Sequence, residues 1–277
     1  MAATEKNERR RGLRDFHVII FVVAVLIFFY VFSFFVDIYN FLGIRDWMVA
    51  HDRLSVPFMW NYLFTEGGPV EIMQWLFIAL VTMTGAYISG KLHALGKNKQ
   101  VATFWLLFAV LGVLMIMEDA GNVRHFLTTR GTLLFVDRMI VRSITELSYF
   151  GLMAIIPAYA VLRYGRYLLP SKKTAVLLLL GCFFYAVAVG MSGTRDIMFW
   201  YQTAGTIFYD FSVALGGEEL LEIYEKTDEY LADIGSISLR YRFMDYVVEE
   251  SFELLGASFL WASSLSYLEY MNKEYGV

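Results

Sequence analysis

The chain has 277 residues, of which 58% are hydrophobic and 18% charged, and its mean hydropathy is +0.52. Soluble domains are about 45–50% apolar and about 25% charged, so this composition excludes an ordinary soluble domain and indicates a membrane protein. The single cysteine, Cys182, excludes an intramolecular disulfide. The net charge is −4, and the sequence shows no basic pattern typical of nucleic-acid binding, so we expect no nucleic-acid partner.

A basic stretch followed by an apolar run opens the chain. Residues 1–14 are rich in arginine, and residues 18–36 are then uncharged. This run is longer than the core of a signal peptide, and no small-residue cleavage site follows it. We therefore interpret it as an uncleaved first membrane helix.

Five further segments approach the roughly 20 apolar residues that a helix needs to cross a bilayer. They are residues 72–90, 101–117, 144–162, 174–194 and 247–268. Gly67-Gly68-Pro69 precedes the second segment of the chain, and proline suits the first turn of a helix. The continuous runs differ from the alternating segments of about ten residues that form β-barrels. The sequence therefore predicts an all-α polytopic transmembrane bundle of about six spans, forming a single transmembrane domain over residues 1–277.

Short, dense groups of basic residues fix the predicted orientation. Lysine and arginine are concentrated before the first segment, between the second and third, and between the fourth and fifth, whereas most acidic residues fall in the other loops. Because loops rich in lysine and arginine stay on the cytoplasmic side, we expect both termini in the cytoplasm and the chain in the cell membrane.

Two outer segments have their own patterns. Residues 38–69 interleave tryptophans with charges, as in an interfacial loop. Residues 195–243 form an acidic amphipathic segment, in which apolar residues recur near helical spacing: Leu220, Ile223, Tyr224, Leu231 and Ile234. We interpret the latter as a solvated surface helix docked on the bundle, with a lid or a partner-docking helix as the alternative.

The third apolar segment ends in Glu118 and Asp119, with His125 following shortly after. If the helix continues through His125, then Glu118, Asn122 and His125 lie on one face. If it ends at the acids, the carboxylates oppose the helix macrodipole and need partners such as arginine or a metal.

The sixth segment carries Glu249, Glu250 and Glu253 in its first turns. Spacings of three and four residues allow Glu253 to share a face with each of the other two. Acids are favoured at a helix N-terminus, which explains Glu249 and Glu250 more readily than the deeper Glu253.

The predicted topology places these acids at a similar depth near the outer face. Carboxylates gathered there repel one another unless they are protonated, paired with arginine or bound to a cation. Carboxylates with imidazole suit Fe, Mn or Zn, and oxygen-only sites suit Ca. The predicted ligands of a divalent metal ion are Glu118, Asp119, His125, Glu249, Glu250 and Glu253, supported by Asn122, Glu146 and Arg142, while Arg124, Arg138, Arg142 and Arg195 are candidate pairing partners.

The two acidic segments together resemble a group of uncharacterised prokaryotic multi-pass membrane proteins. The matching features are Glu118-Asp119 with His125, and Glu249-Glu250 with Glu253 and Gly256. The chain departs from this pattern because no glutamate follows His125 and because Arg195-Asp196 follows the fifth segment. The resemblance implies a shared architecture and a shared polar site, and it supplies no activity.

Three functions follow from these patterns. The first is a cation-binding carboxylate and histidine site near the outer face, with a metal-dependent membrane enzyme as its catalytic form, in which one glutamate acts as base on a metal-bound water. The second is an ion- or proton-coupled transporter. The third is a non-enzymatic subunit of a membrane complex. The expected partners are the lipid bilayer and a second membrane protein or another copy of the chain.

Overall fold

The computed structural model describes residues 14–51, 56–121, 123, 126, 138–195 and 200–276, with the backbone alone at residues 14, 15, 138–143 and 145–147. The described residues are helical and contain no β-strand, which confirms the all-α prediction. The helices are α1 (Arg14–Tyr39), α2 (Ile44–His51), α3 (Met59–Phe64), α4 (Pro69–Ala94), α5 (Lys99–Asp119), α6 (Arg138–Tyr164), α7 (Lys172–Thr194), α8 (Trp200–Asp233), α9 (Leu239–Arg242) and α10 (Glu250–Tyr275). A π-helical turn, Phe243–Glu249, precedes α10.

Within the described residues, four helical stretches are long and apolar enough to cross a membrane: Phe16–Tyr39, Met59–Ala94, Lys99–Asp119 and Lys172–Thr194. They contain four of the six predicted segments, and α4 begins at Pro69 as expected. The other two predicted segments are helical as well, in α6 and α10. The number of spans beyond four remains a prediction.

The first compact unit comprises Met1–Val22, Met73–Gly193 and Glu253–Val277. Its core contains Trp105, Phe108 and Tyr267, all at most 2% exposed. Helix α10 is polar for a buried helix because its serines bond to a neighbouring helix: Ser263 Oγ donates to the Thr174 carbonyl at 3.0 Å. Such small hydroxyl residues pack helices closely inside a membrane protein, and they also lower the hydropathy of α10.

The second compact unit comprises Val23–Ile72 and Thr194–Phe252. Helix α8 is broken at Gly217, whose φ of 73° is unfavourable for residues with a side chain. Gly205 is also required, since a β-carbon there would lie 2.0 Å from the Arg240 carbonyl oxygen. These two glycines let α8 bend and let its first half lie directly against α9.

The predicted amphipathic helix forms the second half of α8. Leu220, Tyr224 and Leu231 are buried, whereas the acids at the complementary spacing are exposed. Ile234 is 55% exposed because α8 ends one residue before it, so its assignment to the apolar face was wrong.

Candidate functional site

One buried amide joins two carboxylates in the first unit. The side chain of Gln74, 0% exposed, lies one turn into α4. Its Nε2 donates to Glu253 Oε2 at 2.5 Å and to Asp119 Oδ2 at 3.1 Å. Two predicted ligands, from the end of α5 and the beginning of α10, therefore converge on one nitrogen atom.

The helix ends explain this convergence. Asp119 is the last residue of α5, Glu253 lies in the first turn of α10, and Gln74 lies near the start of α4. A carboxylate at the C-terminus of α5 is disfavoured, because the helix dipole is negative there, so Asp119 gains from a donor or a cation. Glu253 lies inside a helical run that begins at Leu239 and continues through the π-helical turn into α10.

The two carboxylates are close enough to influence each other's charge. Asp119 Oδ2 and Glu253 Oε2 both lie within 3.1 Å of Gln74 Nε2, so these two carboxylate oxygens are within about 6 Å of each other. At about 5 Å and an effective dielectric constant of about 20, two negative charges repel by roughly 3 kcal/mol. A cation or a shared proton between them would relieve this repulsion.

Glu249 has a different environment in the second unit. It is 7% exposed, and its Oε2 accepts a hydrogen bond from the Tyr201 hydroxyl at 2.5 Å. Burial, followed by the charge of Glu249, raises the pKa of Tyr201 well above its usual value, so the phenol remains a donor. Glu249 is thereby held by a neutral donor within its own unit.

The second unit also contains ion pairs that involve buried arginines. Arg195 Nη1 donates to Asp245 Oδ1, and Arg45 Nη2 donates to Glu219 Oε1. Arg195 was expected as a pairing partner for the acidic residues, and its acid is Asp245. One ion pair joins α2 to α8, and the other joins Arg195, directly after α7, to the π-helical turn.

Of the remaining predicted ligands, the structure describes Glu118 and Glu250. Glu118 is buried at the end of α5 and Glu250 is half-buried at the start of α10. Three residues lie outside the described part of the chain: Asn122, Arg124 and His125. For three others the structure describes only the backbone: Arg138, Arg142 and Glu146. Helix α5 ends at Asp119, and the Ala120 amide donates to the Ile116 carbonyl as the last described helical bond.

Within the part of the chain that the structure describes, no group of three or more His, Cys, Asp or Glu side chains is arranged to hold a metal ion. His51 stacks on Trp47 with a ring separation of 5.2 Å. The described residues thus bring together two of the predicted ligands, and the six-ligand set remains a prediction.

Two polar residues in apolar helices were missed by sequence reasoning. Gln74 is one, and Asp37 is the other: it is 3% exposed, and its two oxygens accept from the backbone amides of Met59 and Trp60 at 2.6 and 3.1 Å. A polar side chain inside an apolar run is itself a signal, because such groups need a partner in the membrane. For Asp37 that partner is the N-terminal turn of α3, whose first backbone amides have no acceptor within the helix.

The comparisons with known proteins supply no independent assignment. No protein-family model, curated protein or solved structure matches the chain. The contacts of the described residues therefore carry the functional argument.

Proposed function

We propose that the chain is a multi-pass membrane protein that binds a cation at the carboxylates of Asp119 and Glu253. The observation that carries this proposal is their convergence on the amide nitrogen of Gln74, at 3.1 and 2.5 Å. Two acids from separate helices in a largely apolar bundle repel each other, and a bound cation converts that repulsion into attraction. Ionisable groups in membrane helices commonly mark such sites.

The remaining acids of the predicted set have a supporting place in this proposal. Glu118 precedes Asp119 on α5 and is 4% exposed. His125 follows α5 by six residues in the sequence. These two residues are the ones we expect to contribute further ligands, or the base of a metal-dependent reaction.

A non-enzymatic subunit of a membrane complex is the second candidate. It is favoured by a groove of about 490 Å³ in the second unit, beside α2 and α8. Asp46, Glu219 and Glu222 line this groove together with Lys226, which pairs with Glu222, and with apolar residues such as Val49. A surface of this kind suits a basic, partly apolar segment of another protein.

Elemental analysis separates the two candidates. The detergent-purified full chain is measured beside Asp119→Asn and Glu253→Gln, with Glu229→Gln on the exposed face of α8 as a matched control. We expect about one equivalent of a divalent metal in the wild type and in the control, and its loss in both site variants. Metal-free wild type that also fails to rebind Ca²⁺, Mn²⁺, Fe²⁺ or Zn²⁺ on titration would overturn cation binding and favour the subunit.

We further propose six spans with both termini in the cytoplasm of a cell membrane, with α6 and α10 as the two spans beyond the four apolar stretches. This proposal is supported by the length of both helices, 27 and 26 residues, and by the distribution of basic residues in the sequence. Because Cys182 is the only cysteine, Cys182→Ser gives a clean background for single-cysteine labelling. On intact cells, an impermeant maleimide should label Glu229→Cys and spare Lys97→Cys. The reverse pattern would refute the orientation.

A further inference from the structure

We infer that the second unit carries a phospholipid site, in which the guanidinium of Arg240 binds the phosphate of a zwitterionic headgroup. This site is separate from the carboxylates of Asp119 and Glu253, and it does not depend on cation binding there. The observation that carries it is a half-buried arginine that lines a small cavity and has no ion pair within the described residues.

Stacking, and not a carboxylate, holds the guanidinium of Arg240 in place. Its Cζ lies 4.0 Å from the ring centre of Tyr209, which is a cation–π contact. Two other arginines of this unit, Arg45 and Arg195, have carboxylates at their Nη atoms. The Nε of Arg240 is buried and has no acceptor in the described part of the chain. A buried donor on a charged group is costly when it is left unbonded, so Arg240 is suited to an acceptor from outside the chain.

The cavity beside Arg240 admits one small group. Its volume is about 20 Å³, enough for a single group of the size of a water molecule. Phe208 forms part of its wall and is 42% exposed, so the cavity lies near the surface of the unit. An oxygen of a phosphate has the size of this cavity and accepts hydrogen bonds from guanidinium groups strongly. One phosphate oxygen therefore fits beside Nε, while the rest of the headgroup stays at the surface.

The surface next to the cavity suits the apolar part of a lipid. The first half of α8 has four apolar side chains on one face, each at least 40% exposed: Ile207, Phe208, Phe211 and Leu215. An exposed apolar face of this kind is typical of a helix that lies in the membrane interface. Because Phe208 belongs both to this face and to the cavity wall, an acyl chain can lie along α8 while its phosphate reaches Arg240.

The charges around the cavity favour a headgroup with both signs of charge. Burial raises the pKa of the Tyr209 hydroxyl, Arg240 lowers it, and three nearby carboxylates raise it further: Asp228, Glu225 and Asp210. Tyr209 is thus surrounded by one cation and several acids. These acids repel a phosphate that has no positive charge beside it, whereas the ammonium of phosphatidylethanolamine is attracted to them and donates hydrogen bonds to carboxylates. We therefore expect phosphatidylethanolamine to bind more tightly than phosphatidylglycerol.

The test is titration of the delipidated full chain in detergent with each of these two lipids, with bound lipid counted by native mass spectrometry. Arg240→Met removes the guanidinium and keeps an apolar side chain, and Arg240→Lys keeps the charge but loses the Nε donor. Arg166→Met is the matched control, because Arg166 is exposed and also stacks on a tyrosine, Tyr167, whose hydroxyl accepts from its Nη2.

We expect wild type and control to bind one phosphatidylethanolamine, and to bind it more tightly than phosphatidylglycerol. Arg240→Met should bind phosphatidylethanolamine roughly tenfold more weakly, and Arg240→Lys should also bind it more weakly than wild type. Inorganic phosphate in millimolar excess should leave the lipid bound. The metal content of both Arg240 variants should equal that of wild type, so this test and that of the cation site fail independently.

Three results would overturn the lipid site. The first is unchanged binding of phosphatidylethanolamine by a folded Arg240 variant, and Arg240→Lys decides if Arg240→Met does not fold. The second is displacement of the lipid by inorganic phosphate, which would make this a site for free anions. The third is tighter binding of phosphatidylglycerol, which would contradict selection of a zwitterionic headgroup by the surrounding acids.

Discussion

The two compact units hold their buried and half-buried carboxylates in different ways. In the second unit, Asp245 pairs with Arg195, and Glu249 accepts from the Tyr201 hydroxyl. In the first unit, Asp119 and Glu253 share the neutral amide of Gln74. A buried acid that has its own hydrogen-bond donor or arginine contributes to the stability of the fold, and it needs no further role. Two acids brought to the same amide repel each other, and that juxtaposition makes the first unit the better candidate for binding.

The energetics follow the same division. A buried arginine and carboxylate compensate each other's desolvation, so removal of one partner leaves a charge that the protein cannot solvate. Two nearby carboxylates have the opposite relation, because removal of one charge relieves repulsion. Substitutions should therefore affect mainly stability in the second unit and mainly binding in the first.

The largest expected effect is that of Arg195→Met. The side chains of Arg195 and Asp245 are 6% and 15% exposed, so this variant leaves a mostly buried carboxylate without its guanidinium. We expect a loss of about 3 kcal/mol in the free energy of unfolding, measured by denaturant titration in mixed micelles. Cation binding should be unchanged.

The matched comparison is Asp119→Asn in the first unit. The asparagine carbonyl can still accept from Gln74, and one of two repelling charges is removed. We therefore expect the free energy of unfolding to change by about 1 kcal/mol or less, and the bound cation to be lost. The double variant Arg195→Met/Asp245→Leu should recover most of the stability lost in the single variant. If Asp119→Asn lowers the free energy of unfolding strongly and Arg195→Met does not change it, the proposed distinction between the two units is wrong.

The helices were predictable from the sequence because each apolar segment is continuous and bounded by charge or glycine. The 101–117 segment became α5, Lys99–Asp119, with Asn98 accepting from the Val101 amide at its start. The predicted apolar stripe from Leu220 to Leu231 lies after the bend at Gly217, and the helical half of α8 before that bend was not predicted. The two-unit organisation was also not predicted, since it depends on contacts between segments distant in sequence.

The site was predictable only in part, for a physical reason. Charge and helix direction placed Asp119 and Glu253 at similar depth, and the structure brings both to Gln74. The same reasoning grouped Glu249 with them, although a phenol from α8 holds that carboxylate. Spacing along a helix fixes the face on which a residue lies, but the donor opposite that face comes from another part of the chain.

Tyr201→Phe gives the smaller and sharper test of the second unit. The variant removes the hydroxyl that donates to Glu249 and keeps the buried ring, so we expect a loss of about 2 kcal/mol at pH 7. The exposed Tyr230→Phe on the same helix is the control, and its stability should match that of wild type.

The pH dependence of this effect has a definite sign. Burial and Glu249 raise the pKa of Tyr201 in the folded chain above the value near 10 of an unfolded tyrosine. The folded state therefore holds this proton more tightly, and the contribution of Tyr201 is complete below pH 10 and falls by about 1.4 kcal/mol for each pH unit above it. The difference in unfolding free energy between wild type and Tyr201→Phe should be constant from pH 7 to 9 and should shrink between pH 10 and 11. A difference that instead grows with alkalinity would mean that the folded protein stabilises the phenolate, and Glu249 would then need a partner other than Tyr201.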